Sequence, residues 1–310
     1  MIFGEKGEVI PGFYVTGCSW SPAYCVAERE VAVFEAGFSS MGRYYLRDIM
    51  EASQGRKPSF LFITHVHYDH CGSASFLKKS FPDMVVGGSQ RAKEIIGREN
   101  AVKLMRRLSN NVLKIVEGFE WIEKDELITS EFEPFEVENI LKEGDVVEIE
   151  KGLHVVVMAT PGHTRDHLSY YIPEREILIC TEACGCLDRA GHLIPEFLVD
   201  YDSYLSSLIR LSRLPVKVVC QGHHFVFTDD DAKRFFSRSI EETERFREWV
   251  EYLLERESYD IERVVQIVKN EQYDTNTNIK QPEEAYLINL TTKIRHLSER
   301  LSIRKRTKVP

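Results

Sequence analysis

An α/β fold with a metal site at its strand ends, followed by a helical appendage, is predicted by three observations. Short apolar runs of strand length alternate with helix-like segments between residues 9 and 228. Three of these runs end directly in turns that contain histidine. After about residue 229 the pattern turns helical.

Taken in order, Phe13-Tyr14-Val15 and Val31-Ala32-Val33-Phe34 read as strands joined by a Ser/Pro/Gly-containing connection, and residues 41–53 as a helix. Ser59-Phe60-Leu61-Phe62-Ile63 is a strand that runs into Thr64-His65-Val66-His67-Tyr68-Asp69-His70-Cys71-Gly72, after which residues 72–77 can open a helix. Met84-Val85-Val86 is a short strand. Residues 89–117 read as one long helical stretch, with Ile95, Val102, Met105, Leu108, Val112 and Ile115 near the helical period. One face is therefore meant to be covered, whether by packing on the sheet or as a lid over the site. Residues 118–142 are acidic and less regular, and residues 131–136 alternate as an edge strand or a loop would. Strands resume at residues 145–149, 153–158, 176–180 and 216–220; helices follow at about 229–257, 260–271 and 283–302, with Pro282 suited to a helix start.

The run His65-x-His67-x-Asp69-His70 packs four metal ligands into a loop between a strand and a helix. A sharp turn there lets His65 and His67 face one ion while Asp69 and His70 face a second beside it. Structural zinc sites close with ligands drawn largely from cysteine, whereas imidazole and carboxylate mark the catalytic kind. Downstream, Thr160-Pro161-Gly162-His163-Thr164-Arg165-Asp166-His167 supplies His163 as the natural third ligand of the first ion. In the same way Gln221-Gly222-His223-His224 supplies His223 to complete the second. Seven of the ten histidines lie in these three segments, which chance scatter would not produce.

This ordered set resembles the metallo-β-lactamase superfamily over roughly residues 10–230. The resemblance implies an αββα metallo-β-lactamase sandwich over residues 1–228, with a helical insert at about 89–117 and a C-terminal helical cover over 229–310. It also implies two divalent ions per chain, zinc, iron or manganese. The family's bridging aspartate is represented here by Thr181-Glu182; Glu182 is one methylene longer but still offers a carboxylate to share between the ions. The early Asp-x-Gly signature appears as Glu35-Ala36-Gly37, usually a structural site, and His167 is expected to hold a ligand or the loop in place.

Within the superfamily the motif, the insert and the helical C-terminus resemble the quinolone-response (2-aminobenzoylacetyl-CoA) thioesterases and the glyoxalase II branch. That likeness implies an acyl thioester substrate and an iron or manganese centre. A metal-bridging hydroxide would attack the carbonyl, and Asp69 would take its proton and help to protonate the leaving group. Tyr286, Asn289 and Thr292 share one face of the final helix by their spacing and, with Arg165, are expected to border the substrate pocket. Lactones, phosphoesters and β-lactams are same-class substrates. From other classes, a flavodiiron-like oxidoreductase is disfavoured by His67 where that branch has glutamate, and a regulatory binding protein by the full ligand set.

Composition narrows the field. With 310 residues, 43% hydrophobic and 29% charged, the chain has the balance of an ordinary soluble globular protein. No apolar run approaches the ~20 residues that span a bilayer, and the first eight residues lack the basic and apolar regions of a secretory signal. Seven cysteines, an odd number, argue against a disulfide framework and for the cytoplasm. Cys184-Gly185-Cys186 reads as small-residue packing beneath the site. A net charge of −9 without a basic domain argues against nucleic acid as the substrate, and the basic tail Arg304-Lys305-Arg306-Thr307-Lys308 reads as a solvated end. The expected partner is a small molecule, with no membrane; a homodimer is compatible with the sequence.

Overall fold

The computed structural model describes residues 1–275 and 281–307; of the basic tail, Lys308 lies outside them. In chain order the first elements are β1 Ile2–Phe3, β2 Gly7–Ile10, β3 Phe13–Cys18, β4 Ser21–Ala27, β5 Val31–Phe34, α1 Gly42–Ala52, β6 Phe60–Phe62, α2 Ala74–Ser80, β7 Val85–Ser89, α3 Gln90–Ile96, α4 Glu99–Val116 and β8 Asn139–Leu141. Next come β9 Val146–Glu150, β10 Leu153–Ala159, β11 Leu168–Ile172, β12 Ile177–Ile179, β13 Cys186–Leu187, β14 Leu193–Ile194, α5 Tyr201–Leu211, β15 Val218–Cys220 and β16 Val226–Thr228. The helices α6 Asp230–Arg256, α7 Ile261–Lys269 and α8 Glu283–Thr307 end the chain.

These elements form two compact units. The first holds residues 1–159, 166–181 and 215–232; the second holds residues 160–165, 182–214 and the C-terminal helices from residue 233.

The first unit contains two seven-stranded sheets, ordered β2-β3-β4-β5-β6-β7-β8 and β1-β16-β15-β12-β11-β10-β9. Strands β5 to β8 run parallel, and in the other sheet β12 and β15 do. Central strands buried on both faces read as continuous apolar runs, and Val31–Phe34 and Ile177–Ile179 are fully buried. One core joins the sheets: Phe34 stacks on Phe62 at 5.0 Å, and Phe62 meets Tyr170 of β11 at 5.2 Å. The Tyr170 hydroxyl, which must find a partner when buried, donates to the Ile63 carbonyl at 2.7 Å. That bond fixes the start of the histidine loop against the opposite sheet.

The second unit is a helical body with the β13–β14 hairpin. Arg300 of α8 donates to both oxygens of Asp202 on α5, at 2.8 and 2.9 Å, and to Glu251 on α6 at 3.0 Å. Such charge-assisted, two-pronged bonds are the strong ones. They clamp three helices through one side chain.

Several expectations are corrected. The connection between the first two expected strands holds the seven-residue strand β4. The chain turns at Ser19-Trp20, between the paired residues Cys18 and Ser21, and Pro22 lies within the strand. Residues 89–117 form two helices, broken at Gly97-Arg98, with the Ser89 hydroxyl capping the first. The buried face of α4 runs through Val102, Met105, Leu108, Val112 and Val116, so Ile115 stands at its margin. Of the two readings of residues 131–136, edge strand or loop, the loop is the one found, and β8 forms an edge of that sheet. Strands β11 and β16 were not read from sequence, and the last helix runs to Thr307.

Candidate metal centre

Parallel pairing of β5 with β6 brings their C-terminal ends side by side, with Phe34 opposite Phe62. Beyond them the Glu35 amide donates to the Phe62 carbonyl at 2.9 Å and the Ala36 amide to the His70 carbonyl at 2.7 Å. The histidine loop therefore closes back on Glu35-Ala36-Gly37. Gly72 is required where it does so: a Cβ there would lie 2.4 Å from the Ser39 nitrogen and 2.5 Å from the Gly37 carbonyl oxygen.

The closed loop gathers imidazoles. His65 and His70 are buried, His67 and Asp69 partly so. The ring of His65 lies 4.5 Å from that of His67 and 4.4 Å from that of His70, and His70 lies 5.3 Å from His223. Ligand-type atoms of Asp69, His70 and His223 all fall within 4.8 Å of one another, and so do those of Glu35, His65 and His70. His223 Nε2 is 3.8 Å from Asp69 Oδ2.

The outer nitrogens of these rings are held. His70 Nδ1 donates to Glu35 Oε2 at 2.5 Å, and the other oxygen of that carboxylate accepts the Thr64 amide at 2.8 Å. Glu35 is 1% exposed and has a positive φ of 68°, a backbone conformation that a non-glycine residue holds only when its surroundings enforce it. His223 Nδ1 donates to the Trp20 carbonyl at 2.5 Å. In the second unit His163 Nδ1 donates to the Glu196 carbonyl at 2.6 Å. A histidine whose Nδ1 carries the donated proton presents the Nε2 lone pair, the form a metal ion needs. Three of the motif histidines are locked in it.

Further groups support the loop. The Val66 amide donates to Asp166 Oδ2 at 2.9 Å, while Thr181 Oγ1 lies 2.9 Å from His167 Nε2 and 3.2 Å from Thr64 Oγ1. Sequence reasoning gave Glu35 only a structural character, named Thr181 only as the neighbour of Glu182, and did not single out Asp166, Glu196 or the Trp20 carbonyl. Asp166 stood inside the quoted Pro-Gly-His segment, so the signal was there; a main-chain carbonyl leaves none.

The remaining expected residues are placed as follows. His163 sits in a turn built within the second unit, where the amides of Leu198, Val199 and Asp200 converge on the Gly162 carbonyl at 3.1, 3.0 and 3.3 Å. Glu182 is buried in the short turn Thr181–Cys184. Tyr286 is buried against the Tyr273 ring at 4.4 Å, Asn289 is half-buried and Arg165 exposed. Thr292 is exposed and bonds its own helix at the Ile288 carbonyl, so the three helix positions do not share one environment. Burial raises the Cys186 thiol well above its usual range, with Glu196 and Glu182 adding to the effect. Cys71 is raised by burial and by the Glu35, Asp69 and Asp166 carboxylates. Both shifts disfavour the thiolate form.

The profile of the metallo-β-lactamase superfamily matches residues 21–223. The chain belongs to the metallo-β-lactamase superfamily. Members of this superfamily typically bind divalent metal ions, often two, and the paired His/Asp/Glu groups fit that role. Hydroxyacylglutathione hydrolase of Glaesserella parasuis is 26% identical over 173 residues, 54% of this chain and 52% of that one. The same-named protein of Chelativorans sp. is 26% identical over 201 residues, 63% and 59% of the two chains. The chain thus spans about half the length of the curated relatives it matches. A metallo-β-lactamase superfamily protein of Sulfolobus tokodaii superposes with a TM-score of 0.58 over 93% of this chain and 98% of that one, at 18% identity. That likeness is one of fold. Among the described residues no helix is long and apolar enough to cross a membrane.

Proposed function

We propose that this superfamily member is a dinuclear metal-dependent hydrolase that cleaves a small acyl thioester in the cytoplasm. The observation that carries the reading is the set of motif histidines whose Nδ1 atoms are committed to fixed oxygens, beside a partly exposed carboxylate, Asp69. Such an arrangement leaves Nε2 lone pairs and the Asp69 carboxylate for ions, and imidazole with carboxylate accepts zinc, iron or manganese.

His65, His67 and His163 would hold one ion and Asp69, His70 and His223 the other, with Glu182 shared. Support for His163 and Glu182 comes from motif order and chain continuity. His163 follows β10 in the Pro-Gly-His turn, and Glu182 is joined to Thr181, whose hydroxyl bonds His167. Bound divalent ions supply acidification of water towards neutral pH and polarisation of a carbonyl. The chain's own part is to orient and to move a proton. Glu35 and the Trp20 and Glu196 carbonyls keep the rings turned Nε2-inward, and Asp69 accepts the proton of the attacking water and passes it towards the leaving group.

A thiolate leaves with little protonation, since a thiol titrates near ~8.5, which suits a site that relies on Asp69 alone to move the proton. The relatives named hydroxyacylglutathione hydrolase act, by that name, on a glutathione thioester, and they support the same bond here. The test is turnover by the metal-replete protein of a panel of thioesters, lactones and phosphodiesters. Faster hydrolysis of a lactone or phosphodiester than of every thioester would displace the reading.

A further inference from the structure

Lys293, on α8, is 5% exposed. An ammonium taken out of water needs partners, and those of Lys293 lie on one short segment of the second unit. Its Nζ donates to the Pro195 carbonyl at 2.6 Å, lies 3.2 Å from Glu196 Oε2, and sits over the Phe246 ring at 6.0 Å. The main-chain carbonyl of that same Glu196 accepts the Nδ1 proton of His163. The Glu196 amide in turn donates to the Tyr204 hydroxyl at 3.3 Å.

We propose that Lys293 is a positioning residue for His163, acting through the Pro195-Glu196 peptide. This deepens the functional reading and rests on His163 being a metal ligand. The ammonium grips the carbonyl on one side of Glu196 and the side chain of Glu196 itself, so the next carbonyl, the one His163 bonds, has little freedom to turn. A buried Lys–Glu pair does not account for itself as a stabiliser, because replacing such a pair by packed apolar groups is often neutral or favourable. Holding a carbonyl in register with an imidazole is a role that apolar packing cannot take over.

The experiment uses the full chain, stripped with a chelator and titrated with zinc alone against a chromophoric competitor, together with ¹⁵N NMR of labelled histidines to read the His163 tautomer. His163→Ala is expected to weaken one zinc-binding step. Lys293→Met is expected to weaken that same step by about 10–100-fold, the usual cost of losing a group that orients a metal ligand. It should leave the other step within about twofold and reduce the Nδ1-protonated share of His163 in the metal-free protein; these limits follow from the local nature of such effects. Lys293→Arg should restore most of the loss. Leu297→Ala, which empties a fully buried position on the same helix, should lower the melting temperature without singling out that zinc step.

An unchanged His163 tautomer in Lys293→Met overturns the proposal, and so does an equal, selective loss in Leu297→Ala. Should the methionine variant not fold, Lys293→Gln, shorter and neutral, is read by the same two signals. If His163→Ala leaves both zinc steps unchanged while Lys293→Met shifts the tautomer, the positioning stands and the assignment of His163 as a ligand falls.

Discussion

Replacing Glu35 by Gln separates its charge from its shape. Glu35 is 1% exposed and holds two neighbours, the Thr64 amide at 2.8 Å and His70 Nδ1 at 2.5 Å. A glutamine oxygen can still accept from Thr64, but the amide nitrogen then faces His70 and can only donate. The imidazole must move its proton to Nε2, turning an N–H where the lone pair should be. A hydrogen bond to a charged group contributes about 1.5–3 kcal/mol. Loss of an orienting partner costs about 10–100-fold in metal affinity, or roughly 1.4–2.8 kcal/mol at 1.4 kcal/mol per tenfold. The two scales agree, so most of the bond's worth should appear as metal affinity. Zinc competition with a chelator should therefore show a 10–100-fold weaker step in Glu35→Gln, with the fold kept. Glu35→Ala leaves the fully buried Thr64 amide without its acceptor and should lose about 1–3 kcal/mol of stability besides. Wild-type zinc affinity in Glu35→Gln would refute the orienting role, and identical stability of the two variants would refute the Thr64 contact.

Metal analysis of active protein should return two ions per chain; a single ion with no gain on reconstitution would remove Glu182 as a shared ligand. Asp69→Asn should keep the fold and lose most hydrolysis, because an amide is a poor ligand and accepts no proton from water; an unaltered kcat in folded, metal-replete protein would take Asp69 out of the mechanism. Gly162→Ala should lose about 1–3 kcal/mol from backbone conformation alone. The residue has φ +133°, and its Cβ would stand 2.3 Å from Tyr204 Cα; an unchanged melting temperature would contradict the turn as built. Tyr286→Phe removes a buried hydroxyl that has no hydrogen-bond partner among the described residues, so stability should hold or rise. A raised KM in Tyr286→Phe and in Asn289→Ala, at constant metal content, would support the substrate-pocket role, and an unchanged KM in both would end it.

The histidine positions were readable because each follows an apolar strand and because metal-binding chemistry restricts the residue types that can serve. Strand β4 was not, because its serine and proline gave the segment the composition of a connection, although the chain turns just before it, at Ser19-Trp20. The break at Gly97 was hidden for a related reason: α3 and α4 both carry the helical period, and a single glycine between two compatible phases hardly disturbs it.

What sequence could least supply is the set of oxygens that aim the rings. The Trp20 carbonyl meets a histidine 203 positions away in the chain, and the Glu196 carbonyl one 33 positions away. A main-chain carbonyl belongs to every residue, so composition and spacing cannot mark the one that is used. Glu35 is the exception, since a side chain does the aiming, and its Glu-Ala-Gly signature was visible while its purpose was not. The purpose follows only once parallel pairing sets Phe34 beside Phe62, because the residue after one strand then faces the loop that leaves the other. Substitutions at Trp20 should accordingly matter to His223 only when they move the main chain, whereas at Glu35 the side chain itself decides how His70 presents its nitrogen.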